Sequence, residues 1–252
     1  MLYVLLPCYN EEKNVGRLLE EIAKALLDFE YVVVAVDDGS VDSTYSILRS
    51  HAKAGFPLVV LRHESNKGLH EALRTLLTWF HLNAASGDLA VTMDADLTHD
   101  PSLIPLMARV ASGGCSIVVA SRYVRGARVV GVPLFRRFLS RGLSLAARLM
   151  LGTRVKDVSS GYRCYSYEAI RKMFEEYGER LVASKGFEVQ LELLYKAAAL
   201  GLRICEVPIL LDYSVRGKSK LKLYATVKSY AKMLVKYGLR RLAGVGRERR
   251  AS

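Results

Sequence analysis

Cysteine is scarce: the 252 residues hold four (Cys8, Cys115, Cys164 and Cys205), no two of them in a CxxC spacing. That argues against a zinc site or a disulfide scaffold and fits a reducing compartment. Tryptophan occurs once, at Trp79 within a helical pattern, where it reads as core. No stretch reaches the roughly 18 uninterrupted apolar residues of a bilayer-spanning helix, so the chain is expected not to cross a membrane by itself. The opening MLYVLLPCYNEE lacks a basic n-region and reads as a first strand, not a signal peptide. Acidic residues nearly vanish at the far end. From Arg216 to Ser252 twelve lysines and arginines face Glu248 alone, so +11 of the chain's net +12 lies there. Such asymmetry suggests a polyanionic partner, whether nucleic acid, acidic lipid headgroups or phosphate. The plain alternative is a solvated basic tail.

With 51% hydrophobic residues the chain is globular, and its length suits one large α/β domain or two small ones. Leu2–Leu6, Tyr31–Val36, Leu58–Leu61, Leu89–Met93 and Ser116–Ala120 are short apolar runs of the kind that form buried parallel strands. Between the first two, Val15, Leu18, Leu19, Ile22 and Leu26 recur at helical spacing. Further helices are predicted over Ser43–Ala54, Gly68–Ala84 and Pro101–Ala111, the last with Asp100 as N-cap and Pro101 at N1. This alternation implies an α/β fold with a doubly wound, mostly parallel sheet, whose ligands bind beyond the carboxyl ends of the strands. After Tyr123 the pattern loosens into helices over Pro133–Leu151 and Phe187–Leu200 and a strand over Leu202–Val207. Over Leu221–Leu242, Leu223, Val227, Tyr230, Leu234 and Tyr237 form an apolar stripe. Beside it Lys228, Lys232, Lys236 and Arg240 form a basic one. That pairing suits a helix lying on an anionic membrane surface, or one packed on its own domain with a solvated lysine face.

Polar motifs follow four successive strands: PCYNEE (Pro7–Glu12), DDGSVDST (Asp37–Thr44), NKG (Asn66–Gly68) and DADLTHD (Asp94–Asp100). Any one alone is ordinary turn chemistry; four together mark a ligand site. Asp94 and Asp96, two apart in extended chain, are expected to project the same way. Paired hard oxygens suit Mg²⁺ or Mn²⁺ bridging a substrate diphosphate. His99 reads as an incidental loop histidine.

With ASRYVRG (Ala120–Gly126), SSGYRCY (Ser159–Tyr165) and VRGKSKLK (Val215–Lys222), these motifs resemble an inverting family-two glycosyltransferase. The likeness is nearest to dolichol-phosphate mannose synthases and related polyprenyl-phosphate glycosyltransferases, and it runs over residues 1–222. The resemblance implies the glycosyltransferase A fold over residues 1–215, with a basic amphipathic segment at 216–252 on the membrane surface. It implies that Pro7, Tyr9, Glu11 and Asp38 contact the nucleotide, and that Asp94 and Asp96 hold the metal with Thr98 beside it. Arg122, Arg136 and Ser140 match positions that hold the acceptor's phosphate; Arg216, assisted by Lys220, matches one that holds the donor diphosphate. Asp96, Arg122 and Arg216 are the expected catalytic set. The implied donor is a nucleotide sugar, GDP-mannose, with UDP-glucose or a similar donor as the alternative. The implied acceptor is dolichyl or polyprenyl phosphate. The expected location is peripheral, on the cytoplasmic face of a membrane, and a separate membrane subunit is admitted as a partner.

A phosphate monoester is largely dianionic at neutral pH, so it attacks an anomeric carbon without a general base. A hydroxyl acceptor would need one, for which Asp157 or Glu188 are the candidates. The QxxRW motif of processive relatives is missing. A nucleic-acid-binding protein would explain the tail but leave four strand-end motifs unused, so no nucleic-acid partner is expected.

Overall fold

The computed structural model describes residues 1–131, 142, 144–145, 147–148, 154–186 and 188–212. Arg136, Ser140, Arg216, Lys220 and the amphipathic stripe from Leu221 lie outside the described residues. So does most of the helix expected over Pro133–Leu151, of which the described residues are helical.

A seven-stranded sheet runs β3-β2-β1-β4-β7-β5-β8. Its strands are β1 (Leu2–Cys8), β2 (Tyr31–Asp37), β3 (Leu58–Arg62), β4 (Leu89–Thr92), β5 (Ile117–Ser121), β7 (Arg163–Ser166) and β8 (Ile204–Pro208). β7 alone is antiparallel to its neighbours. A short parallel pair, β6 (Arg128–Val130) with β9 (Leu210–Asp212), stands beside it. The helices are α1 (Val15–Ala25), α2 (Thr44–Lys53), α3 (Leu69–Asn83), α4 (Ile104–Ser112), α5 (Tyr167–Tyr177) and α6 (Val189–Ala199).

Strand alternation sorts the core into two layers. On β1, Tyr3 and Leu5 point into a cluster with α3, α5 and α6. Leu2, Val4, Leu6 and Cys8 point into another with α1, α2 and α4. A strand covered on both faces has no polar side, which is why β1 reads as an unbroken apolar run. Trp79 packs against the first layer, edge-on to Tyr3.

Each of the first five strands and four helices lies where the sequence predicts it, within about three residues. Asp100 caps the 3₁₀ turn Pro101–Leu103 that leads into α4, accepting from the Ser102 amide at 2.8 Å. β7 and α5 are additions. Ser166 caps α5 by accepting from the Ala169 amide, and Gly178, at φ +52°, ends it.

The cysteines need a correction. Cys115 and Cys205, 90 residues apart in sequence, form a disulfide that ties the entry of β5 to edge strand β8. Cys8 and Cys164 are free and buried. Sheet topology, not sequence spacing, brings the pair together.

Candidate active site at the sheet's switch point

Strand order reverses between β1 and β4, and a crevice opens at such a point. The β1–β4 ladder ends at Leu5 opposite Thr92, two residues before Pro7, which has no N–H to extend it. Tyr9 and Glu11 leave one side of this gap half-buried, and Asp94 and Asp96 leave the other.

Loops after β1 and β2 are sewn into one wall. The Asn10 amide donates to Ser40 Oγ at 3.0 Å, Glu11's to Thr44 Oγ1 at 2.7 Å and Glu12's to Asp42 Oδ2 at 3.2 Å. In return the Val41 amide donates to Asn10 Oδ1 and that of Ser43 to Glu12 Oε2, both at 3.0 Å. Asn10 sits at φ +53°, a conformation asparagine tolerates. The Glu11 carboxylate also accepts from Asn14 Nδ2 at 2.7 Å.

The second and third loops touch through Gly39. Its φ is +68°, and a Cβ there would lie 2.4 Å from the Ser65 carbonyl carbon. Asp38 is 3% exposed and its carboxylate faces this loop. It accepts from the Lys67 amide at 3.0 Å and the Gly68 amide at 2.8 Å, and lies 2.6 Å from His63 Nδ1. Asp38, which the resemblance places at the nucleotide, thus also fastens NKG to the sheet.

Beyond β4 the chain bends, which corrects the expectation of an extended Asp94–Asp96. Leu97 takes φ +61°, and Asp96 Oδ1 accepts from the Thr98 amide at 3.2 Å and the Thr98 hydroxyl at 2.6 Å. Thr98 therefore braces Asp96. The Asp94 carboxylate is 41% exposed. Across from it, a Cβ on Gly161 would stand 3.6 Å from Asp94 Oδ1 and 3.1 Å from Gln190 Nε2, so SSGYRCY needs glycine to keep this space open. Two hard carboxylates at a crevice, one exposed and one braced, are oxygen donors of the kind that would suit Mg²⁺ or Mn²⁺. Among the described residues no group of three or more His, Cys, Asp and Glu is placed to hold an ion.

Arg122, at the exit of β5, has a partner that sequence spacing hid. Its Nε and one terminal nitrogen fork onto Asp157, both at 2.7 Å, and that nitrogen also meets Ser159 Oγ at 2.7 Å. Asp157 is fully buried, its backbone held by Glu206 from β8. Burial alone would raise its pKa. The charge and hydrogen bonds of Arg122 and the charge of Arg163 outweigh that and hold the carboxyl below its ordinary value. A buried carboxylate gripped by arginine and held below its ordinary pKa is a poor proton acceptor, which argues against Asp157 as the base that a hydroxyl acceptor would need. Glu188 is half-buried at the start of α6.

The loop before α6 is clamped by a buried pair the sequence did not reveal. Glu192 and Lys196 lie 2.6 Å apart. Glu192 accepts from the amides of Ala183 and Ser184, while Lys196 donates to the carbonyls of Arg180 and Leu181. His99, 6% exposed, accepts from the Asp94 amide at Nδ1, 3.0 Å away, so it is built into the site.

Comparison with known proteins fits this arrangement. Residues 3–174 match the family model described as glycosyl transferase family 2. The chain is 35% identical over 221 residues to the dolichol-phosphate mannosyltransferase of Pyrococcus furiosus, covering 87% of this chain but 58% of that relative's length. It is 31% identical to the polyprenol monophosphomannose synthase of Mycolicibacterium smegmatis, covering 86% of this chain and 80% of the relative. The glucosyl-3-phosphoglycerate synthase of Mycobacterium tuberculosis, solved with Mn²⁺, UDP and phosphoglyceric acid, has TM-score 0.65 at 22% identity, covering 94% of this chain and 78% of that one. That last likeness concerns the fold alone. The chain belongs to glycosyltransferase family 2 and has the glycosyltransferase A fold.

Proposed function

We propose that the protein transfers mannose from GDP-mannose, with inversion and with a divalent cation, to the phosphate of dolichol or another polyprenol. The observation that carries the reading is the pair Asp94 and Asp96 following β4 at the switch point, where β4 lies beside β1. The names of the Pyrococcus and Mycolicibacterium relatives supply the sugar and the lipid phosphate.

In this reading Pro7, Tyr9 and Glu11 line the nucleoside pocket, whose floor Asp38 stiffens. Asp94 and Asp96 would hold Mg²⁺ or Mn²⁺, which would supply positive charge to stabilise the leaving diphosphate. Arg216 and Lys220 would supply positive charge to the same diphosphate. Arg122, aimed by Asp157, draws in the acceptor phosphate with Arg136 and Ser140; arginine suits this because it keeps its charge while its fork is held by Asp157. One phosphate oxygen forms a bond to the anomeric carbon as the bond from that carbon to the donor diphosphate breaks. No proton moves, so no general base is required, in keeping with the spent carboxylate of Asp157. Catalysis is positioning and charge stabilisation.

Residues 1–215 form the catalytic unit in this account, and 216–252 a basic segment that holds it to an anionic membrane surface. Among the described residues no helix is long and apolar enough to cross a membrane. A donor screen tests the reading: GDP-mannose, UDP-glucose and other nucleotide sugars with polyprenyl phosphate and Mg²⁺ or Mn²⁺, products read by mass spectrometry. Mannosyl-phosphopolyprenol from GDP-mannose alone is expected. Preference for a UDP-sugar would overturn the donor assignment.

A further inference from the structure

We infer that His99 is a positioning residue for Asp94: its neutral ring, accepting the Asp94 amide proton at Nδ1, sets the shape of the metal-binding loop. The inference rests on the reading that Asp94 and Asp96 hold the divalent ion.

Three features of the loop lead there. Met93 makes the last backbone bond from this segment to β1, and the pairing with β7 on the other side ends at Thr92, so the Asp94 amide finds its acceptor outside the sheet; it donates to His99 Nδ1 at 3.0 Å. Backbone direction in the loop depends on Leu97 at φ +61°, which for a leucine persists only where its surroundings enforce it. Finally, the ring itself is fixed. It stacks on Tyr162 with centroids 4.8 Å apart and planes at 17°, and Tyr162 donates to the Asp100 carbonyl at 2.8 Å. The backbone of His99 also bridges Leu211 in β9, so the loop is moored to a second sheet.

Tautomer chemistry then separates positioning from ligation. A ring that accepts at Nδ1 carries its proton on Nε2, and a protonated nitrogen is no metal ligand. That N–H edge lies 3.9 Å from Asp94 Oδ2, beside the carboxylate. One imidazole thus borders both the amide and the carboxylate of Asp94 while leaving the carboxylate open to the crevice. Partners of metal ligands govern ligand orientation, and losing one weakens metal binding by about 10- to 100-fold.

Mn²⁺ binding, measured by calorimetry with GDP and separately with UDP, decides the matter when read beside thermal midpoints. His99→Phe keeps a ring to stack on Tyr162 but has no acceptor. It is expected to keep a near-native midpoint and to bind Mn²⁺ about 10- to 100-fold more weakly. His99→Asn places an oxygen near the Nδ1 position without the ring, and is expected to lose midpoint but retain near-native Mn²⁺ affinity. Asp96→Asn is the control for the metal assignment. If it loses Mn²⁺ while His99→Phe keeps full affinity, or if His99→Asn binds as weakly as His99→Phe, the positioning role is wrong. If Asp96→Asn also keeps full affinity, the metal reading has failed and this inference with it. Should His99→Phe not fold, His99→Gln, whose amide reaches toward the Nε2 position, replaces it: it is expected to bind weakly, and affinity equal to that of His99→Asn would overturn the proposal.

Discussion

Replacing Asp157 with asparagine keeps the shape of the side chain and removes its charge. Arg122 then loses the bidentate partner that holds its Nε and terminal nitrogen at 2.7 Å, and an amide N–H must face the guanidinium or turn from it. Asp157 is fully buried and the Arg122 side chain only 18% exposed, so water replaces little of the lost pairing. Removing one partner of a buried ion pair costs about 3–5 kcal/mol. One acceptor oxygen survives in asparagine, which puts the expected loss near the lower figure, about 3 kcal/mol. For a chain of this size that is a fall of roughly 6–12 °C in thermal midpoint. The effect carries a pH label. The folded pKa of Asp157 lies below its unfolded value of about 3.9. The pair therefore contributes in full above that value and is lost as pH falls through the depressed folded pKa. Urea unfolding of both proteins, from pH 7 down through pH 4 toward pH 3, should show a gap that is widest at neutral pH and narrows in acid. An unchanged midpoint at pH 7, or a gap indifferent to acid, would refute the pairing. The same variant should raise KM for the phosphorylated acceptor more than it lowers turnover, because Arg122 loses its aim and keeps its charge.

Gly39→Ala should cost about 2 kcal/mol or more, since alanine at φ +68° is strained and its Cβ meets Ser65 backbone; thermal denaturation checks this, and nucleotide affinity should fall with it. Glu192→Gln breaks the buried pair with Lys196 and should cost about 3 kcal/mol. Limited proteolysis should show new cleavage between residues 180 and 186; full resistance would contradict the clamp. Changing Lys228, Lys232, Lys236 and Arg240 together to Glu should release the protein from anionic liposomes, since each cation near such a surface contributes about 1 kcal/mol. Activity on a short, water-soluble phosphate acceptor should survive, and a charge-reversed protein that still pellets with vesicles would show that the stripe packs on its own domain.

How much of this was legible in the sequence follows from period and locality. β1 to β5 and α1 to α4 show themselves because their burial is regular: apolar runs under two helical layers, and stripes such as Val15, Leu18, Leu19 and Ile22. β7 hides because four residues, RCYS, carry a buried Arg163 whose charge breaks any apolar reading. Its guanidinium is accommodated by the carbonyls of Gln190 and Val158, partners 27 and 5 residues away. The motifs were legible as strand-end loops, since each follows a strand, but the contacts of each side chain were not. Asp38 turned inward to the β3 loop and Asp157 to Arg122 across 35 residues, choices that no local spacing encodes, whereas the bond from Thr98 to Asp96, two residues apart, is ordinary turn chemistry. The Cys115–Cys205 bond is hidden for the same reason, being a product of β5 lying beside β8.

The most direct test of the central claim is phosphorus NMR of a reaction holding the protein, GDP-mannose, a short-chain polyprenyl phosphate and Mn²⁺, quenched with EDTA before the spectrum is taken. The account predicts that the monoester resonance of the acceptor is replaced by that of a phosphodiester while GDP accumulates in equal amount, and that neither change occurs when EDTA is present from the start or in the Asp96→Ala protein. Release of GDP and free mannose with the monoester untouched, or a phosphodiester that forms equally well with EDTA present throughout, would contradict it.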